Sequence, residues 1–507
     1  MTNAPFALDN AKSLAYICPE LALAAAMMAI IVWDLVVKGK GKLEGIALIS
    51  LSALGYSGIY AFFSIDKHVE LFGGLLVADQ ASNLFRVFFA FVTAVAVILS
   101  VPTKAKRQVF AKARGDGQFF TLLMAISLGM NLMAMAQNML MIYLSLEMVS
   151  VISFVMAGFK LEDRKSWEGA MKYVIFGGFS SGIMLYGMSW IFGLTTSLHL
   201  PTIMNRIAEL SALAPDGKIP DAIVVGVICM MAGFGYKISA APFHMWAPDV
   251  YEGAPTQVTM FLSVGPKAAG FAVMWRFFAQ GLGAYGIHAP GAETWKMIAG
   301  LIAIATMTIG NLSALNQTSL KRMLAYSSIA HAGYMMLGFC VFTGEGASSI
   351  VFYIIVYCAM NLGAFLVQMA VAEETGTETV EGFRGLGTRA PLVAVAMTLF
   401  LFSLAGIPPM AGFVGKFYIF LALIKAGGMW SWTLAVIGVL NSVISAFYYA
   451  RVAKAMWLQK ADSGAEDVPV RGLYGATMAA LAVPTLALGL YWAPVYNWVQ
   501  QSLGMVR

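Results

Sequence analysis

A succession of apolar runs constrains this chain more than any other feature. Each is about 20 residues long, the length an α-helix needs to cross a hydrocarbon core. They begin near Leu14, Gly45, Ser82, Gln118, Met139, Lys172, Asp221, Gln257, Trp295, Arg322, Ala347, Ala390, Met429 and Gly472, which makes about fourteen spans. The weakest boundary is Ala136-Gln137-Asn138, between the fourth and fifth. Charged residues are 11% of the chain and apolar ones 60%, against roughly 25% and 45–50% in soluble proteins. So little charge cannot cover a water-exposed surface of this size. The expected fold class is an all-α polytopic membrane protein. The first run is too long for the core of a signal peptide and is followed by Lys38, Lys40 and Lys42. It reads as a retained first helix.

Loop charge orients the spans. The loops after odd-numbered helices hold twenty basic residues: Lys38, Lys40, Lys42, Lys104, Lys106, Arg107, Lys112, Arg114, Lys160, Arg164, Lys165, Lys172, Lys321, Arg322, Arg384, Arg389, Arg451, Lys454, Lys460 and Arg471. The other side, termini included, holds eight: Lys12, Lys67, Arg206, Lys218, Arg276, Lys296, Lys425 and Arg507. By the positive-inside rule the twenty face the cytoplasm and both termini lie outside. The net charge of +6 thus reports orientation, not a nucleic-acid surface. Four of the 32 basic residues remain inside predicted spans: Arg86, Lys237, Lys267 and Lys416.

Other chemistries find no motif. Cys18, Cys229, Cys340 and Cys358 stand singly, with no CxxC pair, a pattern that offers no iron–sulfur, zinc or disulfide framework. His68, His199, His244, His288 and His331 show no paired haem-ligand arrangement. Neither a GxxxxGK[ST] loop nor a strand-flanked GxGxxG is present, so no nucleotide is bound by a familiar route. No cofactor is expected in this chain, and its work is driven by a gradient or a partner.

Two spans carry proline where a helix should continue. The seventh is interrupted at Ala240-Ala241-Pro242, with Pro248 beyond; the twelfth contains Gly406-Ile407-Pro408-Pro409-Met410-Ala411-Gly412. A proline removes a backbone donor and clashes with the preceding turn. In a membrane the freed carbonyls survive only inside protein or beside a wet cavity. One proline alone reads most simply as a kink. A break with Lys237 five residues before it, or two prolines flanked by glycines, points to function. The two breaks are five helices apart, which fits two inverted five-helix repeats, helices 4–8 and 9–13, each with one broken helix.

Glu147 falls near the middle of the fifth span, Lys237 and Lys267 lie mid-span in the seventh and eighth, and Lys416 follows the second break. A charge at the bilayer centre costs at least roughly 2.5–3.5 kcal/mol on insertion scales. Burial disfavours the charged form and a counter-charge restores it. A lysine whose carboxylate neighbour moves away can therefore release and regain a proton. The plainer alternative is a static Glu147–Lys237 ion pair that braces helices. Arg86 either snorkels or pairs with Asp79. Ser327, Ser328, His331 and Tyr334 share one face of the tenth helix, and Tyr353, Tyr357 and Asn361 one face of the eleventh. Such faces act either as interhelical glue or as a water chain in which His331 titrates near neutral pH. His244 reads as structural.

These residues resemble a known family: the antiporter-like subunits of respiratory complex I, with relatives in Mrp-type sodium/proton antiporters and membrane-bound hydrogenases. The likeness runs through essentially the whole chain. It is strongest at Gly235-Tyr236-Lys237-Ile238-Ser239-Ala240-Ala241-Pro242-Phe243-His244-Met245-Trp246-Ala247-Pro248-Asp249, at Gly265-Pro266-Lys267, at Leu404-Ala405-Gly406-Ile407-Pro408-Pro409 and at Gly412-Phe413 with Lys416. Lysine at position 416 is similar to the subunit N branch. The resemblance implies Glu147 and Lys237 as a coupled pair, Lys267 as a connecting residue and Lys416 as the terminal proton carrier, with His331 a candidate relay. It implies protons moved by quinone reduction elsewhere, with NADH, FMN, iron–sulfur clusters and quinone on partner subunits. It also implies other membrane-arm subunits and the lipid bilayer as partners, and a bacterial inner membrane as the location. The expected division is helices 1–3 over 1–117, the repeats over 118–280 and 281–457, and the fourteenth helix over 458–507. The alternatives are an Mrp-type antiporter subunit, a hydrogenase membrane subunit, and a purely structural arm.

Overall fold

The computed structural model describes residues 10–39, 41–101, 115–214, 218–283, 291–461, 468 and 472–504. Of the loop cations, Lys40, Lys104, Lys106, Arg107, Lys112, Arg114, Arg471 and Arg507 lie outside the described residues, as does His288. Among the described residues, twelve helices are long and apolar enough to cross a membrane. The multi-pass helical class is the one the apolar runs announce.

The helices are α1 (Cys18–Val36), α2 (Lys42–Phe63), α3 (Gln80–Ser100), α4 (Asp116–Met135), α5 (Met139–Ala157), α6 (Arg164–Thr195) and α7 (Asp221–Ile238). There follow α8 (Trp246–Gly253), α9 (Thr256–Arg276), α10 (Ala292–Leu315), α11 (Leu320–Phe339) and α12 (Gly344–Thr375). There follow α13 (Pro391–Ala405), α14 (Ala411–Ala426), α15 (Gly428–Leu458) and α16 (Leu473–Leu490), and a shorter helix, Ala493–Gly504, closes the described residues. The chain divides into two compact units, Met1–Ile238 with Gly265–Trp295 and Ser502–Arg507, and Ser239–Val264 with Lys296–Gln501.

In the first unit, small residues bring backbones together, the usual substitute for a hydrophobic drive between helices in lipid. A Cβ on Gly187 of α6 would stand 2.5 Å from the Gly226 carbonyl of α7, and one on Gly129 of α4 would stand 2.7 Å from Val149 of α5. A short hairpin, β1 (Val69–Leu71) and β2 (Leu76–Ala78), pairs antiparallel with Val69 opposite Ala78. The apolar-run pattern gives no sign of it. Its buried face packs on Met135 at the end of α4. The hairpin delivers Asp79 to the N-cap of α3, where its carboxylate accepts from the Ser82 amide at 2.8 Å.

In the second unit most residues of α11 and α12 are buried. The α11 turns lie tight on α10, where a Cβ at Gly310 would come within 2.6 Å of the Ala330 amide. Both expected breaks are present. The α7 helix stops at Ile238, Ser239 takes a left-handed backbone (φ 61°), Ala241–Pro242 is cis, and helix resumes at Trp246. The α13 helix stops at Ala405 with Gly406 left-handed (φ 86°), Pro408–Pro409 is cis, and α14 begins at Ala411.

Candidate functional site

In the first unit Lys237 sits in the last turn of α7 and is 2% exposed. Its ammonium donates to the Ser150 hydroxyl of α5 at 2.9 Å. The Ser150 hydroxyl itself donates to the Leu146 carbonyl at 2.8 Å. Glu147 lies one turn before Ser150 on the same helix and is only half-buried. It accepts a hydrogen bond from Ser181 of α6. Among the described residues Glu147 and Lys237 make no direct ion pair, although their charges interact. Each is held by a serine, and a serine hydroxyl both donates and accepts.

Lys267 follows Pro266 inside α9 and is equally buried. Gly270, one turn further on the same face, lets α9 close on α7. A Cβ there would stand 2.8 Å from Ile238 and 3.2 Å from the Lys237 side chain.

The second unit builds its site at the other break. The Lys416 ammonium, on the second turn of α14, donates to the carbonyls of Leu404 at 3.0 Å and Ala405 at 2.9 Å, and to Ser442 of α15 at 3.0 Å. Those carbonyls are the orphans at the end of α13, where the helix dipole is negative. The buried lysine thus satisfies the polar groups the prolines set free. It also stands 4.6 Å over the Tyr334 ring. Gly412 has no room to be anything else: its Cβ would collide with the Ser403 carbonyl. Gly412→Ala forces the two half-helices apart and is expected to cost about 1–3 kcal/mol, as overpacking does. Thermal unfolding of the assembled complex measures it.

His331 lies on α11 with both ring nitrogens occupied, Nδ1 by the Tyr353 hydroxyl at 2.7 Å and Nε2 by the Tyr449 hydroxyl at 3.2 Å. Tyr449 also meets Ser327. The polar faces expected on the tenth and eleventh helices therefore do converge. Beside them Asn311 of α10 links the Tyr334 hydroxyl at 3.0 Å with Asn441 at 3.1 Å, and accepts from the Tyr448 hydroxyl at 3.0 Å. The α15 members, Asn441, Ser442, Tyr448 and Tyr449, are not among the residues singled out in sequence. Their signal was a polar series at positions 441, 442, 448 and 449 in an otherwise apolar run.

Three readings of the basic residues need correction. Arg86 neither snorkels nor meets Asp79: it is buried and pairs with Glu20 of α1 at 2.7 Å. Asp79 belongs instead to Arg276, which loop counting placed on the outer surface. Arg276 is 1% exposed and grips Asp79 with two bonds of 2.8 and 2.9 Å. Lys321, also counted as a loop cation, is buried, with its ammonium 2.7 Å from the Ala254 carbonyl. The common reason is that helix ends here lie under other elements, where a carboxylate or a row of carbonyls replaces water. His244 is buried in the first break. Among the described residues no group of three or more histidines, cysteines or carboxylates gathers as a metal-ion site.

Residues 136–445 match the family described as NADH:quinone oxidoreductase/Mrp antiporter, TM. A protein of Sorangium cellulosum (strain So ce56), NADH-quinone oxidoreductase subunit N 2, is 60% identical over 99% of this chain and 100% of its own. NADH-quinone oxidoreductase subunit N of Anaeromyxobacter sp. (strain Fw109-5) is 44% identical over 99% of each. Among solved structures, a chain of respiratory complex I from Thermus thermophilus, determined with bound aureothin, superposes with a TM-score of 0.76. It is 29% identical, over 94% of this chain and 98% of that one. With these matches running the length of the sequence and both helix breaks in place, the chain belongs to the NADH-quinone oxidoreductase subunit N family, within the wider NADH:quinone oxidoreductase/Mrp antiporter membrane family.

Proposed function

We propose that this chain is a proton-translocating membrane-arm subunit of a respiratory NADH:quinone oxidoreductase. In this reading it moves protons through Glu147, Lys237, Lys267 and Lys416, with His331 as a relay, while quinone is reduced in neighbouring subunits. NADH, FMN, the iron–sulfur clusters and quinone belong to those partners. The chain lies in a bacterial inner membrane with both termini outside, in fourteen spans and two inverted repeats, as the loop charges and the paired breaks support. The observation that carries the reading is Lys416, a buried ammonium held on the open carbonyls of a broken helix in a chain matched over its length to subunit N. Among the described residues its three bonds go to two carbonyls and a hydroxyl. The group can give up a proton and leave the carbonyls to a water, where a carboxylate partner would have fixed its charge.

The assembled complex, purified into vesicles, tests this. Lys416→Ala is expected to lower proton uptake coupled to NADH oxidation by at least roughly tenfold, since a positioned proton-transfer group contributes about 10²–10⁴-fold. Unchanged proton-to-electron stoichiometry in that variant overturns the assignment of Lys416. Gradient-driven sodium exchange by this chain alone in vesicles overturns the redox-driven reading in favour of an exchanger.

A further inference from the structure

The outward face of α15 in the second unit ends in a feature that proton transfer does not use. Val436, Leu440, Val443 and Phe447 recur every three or four residues along one stripe, and all are more than half exposed. At the lower end of that stripe an open groove of about 550 Å³ runs between α10 and α15, lined by Leu315, Asn316, Val443, Ile444, Phe447, Tyr448 and Arg451. Apolar walls fill most of it. Arg451 and the exposed Asn316 are among its polar lining residues.

Depth explains this arrangement. From Trp432, half exposed at the opposite end of α15, to Arg451 is 19 residues, or roughly 28 Å along a helix. That is close to the roughly 30 Å of a bilayer's hydrocarbon core. Tryptophan and basic residues are the usual interface anchors at the two surfaces. Arg451 thus lies at the height of the lipid headgroups, with Lys454 one turn further out and exposed. The guanidinium is already fixed, its two terminal nitrogens donating to the Leu315 and Gln317 carbonyls at 2.7 and 2.6 Å. Partial charges on carbonyls do not cancel a full positive charge. An immobilised cation and an amide in an apolar groove, with an exposed lysine one turn further along α15, are complementary to a lipid with an apolar acyl chain and an anionic phosphate headgroup.

We propose that the α10–α15 groove is a binding site for an anionic phospholipid, its acyl chain along Val443 and Phe447 and its phosphate at Arg451, Lys454 and Asn316. The test uses the whole complex reconstituted in vesicles of phosphatidylcholine with a trace of photoactivatable lipid. That lipid is either phosphatidylglycerol or phosphatidylcholine, with the same diazirine-bearing acyl chain. Labelled peptides are read by mass spectrometry. Phosphatidylglycerol is expected to label the 436–447 segment several-fold more than phosphatidylcholine. Lys454→Gln, on an exposed side chain, is expected to cut that preference roughly fivefold, the effect of one basic residue near an anionic headgroup, and to leave pumping unchanged. Equal labelling by the two lipids overturns the proposal, since it marks exchanging bulk lipid. So does an absence of labelling by both, which marks a face covered by a neighbouring subunit. Binding that survives Lys454→Gln with its full preference overturns the assignment of the headgroup.

Discussion

Lys237→Met in the assembled complex is expected to abolish proton translocation and to reduce quinone-linked turnover by at least roughly tenfold, a modest share of what a proton-transfer group can contribute. Methionine keeps the length and most of the volume of the lysine stem, so the pocket against Gly270 stays filled and no cavity confuses the result. Only the ammonium and its bond to Ser150 are lost. Lys237→Arg separates the two meanings of this charge. An arginine cannot be deprotonated in a protein, so it can brace Glu147 and Ser150 but cannot release a proton. If Lys237 carries protons, arginine is as inactive as methionine. If it is a static brace, arginine restores pumping, and the proton-carrier assignment falls. Vesicle acidification measured beside NADH oxidation gives the two numbers the distinction needs.

Much of this molecule could be read before its fold was known, and the legible part has a physical signature. A charge inside an apolar run of spanning length is too costly to be incidental, so Glu147, Lys237, Lys267 and Lys416 stood out by depth alone. Proline and glycine clusters announced both breaks for the same reason. What could not be read was pairing. Arg86 has Asp79 seven residues before it in sequence, and only the tertiary fold brings the distant Glu20 of α1 to it instead. Arg276 and Lys321 looked like loop cations because a helix end in sequence resembles a loop. Whether that end meets water or another backbone is a tertiary fact. Ser150 and Ser181 were invisible for a different reason: most serines in membrane helices bond back to their own helix, as Ser145 and Ser153 do here. Sequence does not distinguish the one that receives a lysine.

The second large effect belongs to the ion pair that sequence missed. Asp79→Asn is expected to destabilise the first unit by about 3–5 kcal/mol, the usual cost of removing one partner from a buried pair. The substitution is nearly isosteric, and asparagine caps a helix as well as aspartate, so the bond to the Ser82 amide is kept and only the charge is removed. Arg276 would then be left inside protein with its guanidinium facing a neutral amide and the Ala134 carbonyl, to which its Nε donates at 3.0 Å. That one side chain ties the start of α3, the end of α4 and the end of α9, and α9 carries Lys267 nine residues upstream. Loss of the pair should therefore appear twice, as a lower unfolding temperature of the complex and as a lower turnover in proportion to the folded fraction. The companion variant Asp79→Asn with Arg276→Met removes both charges together and keeps the α3 cap. Because neutral replacement of a buried pair is often tolerated, it should recover most of the lost stability. An unfolding temperature unchanged by Asp79→Asn would show that water or a second anion already serves Arg276. Recovery of stability without recovery of turnover would assign the pair a part in positioning Lys267, beyond holding the helices together.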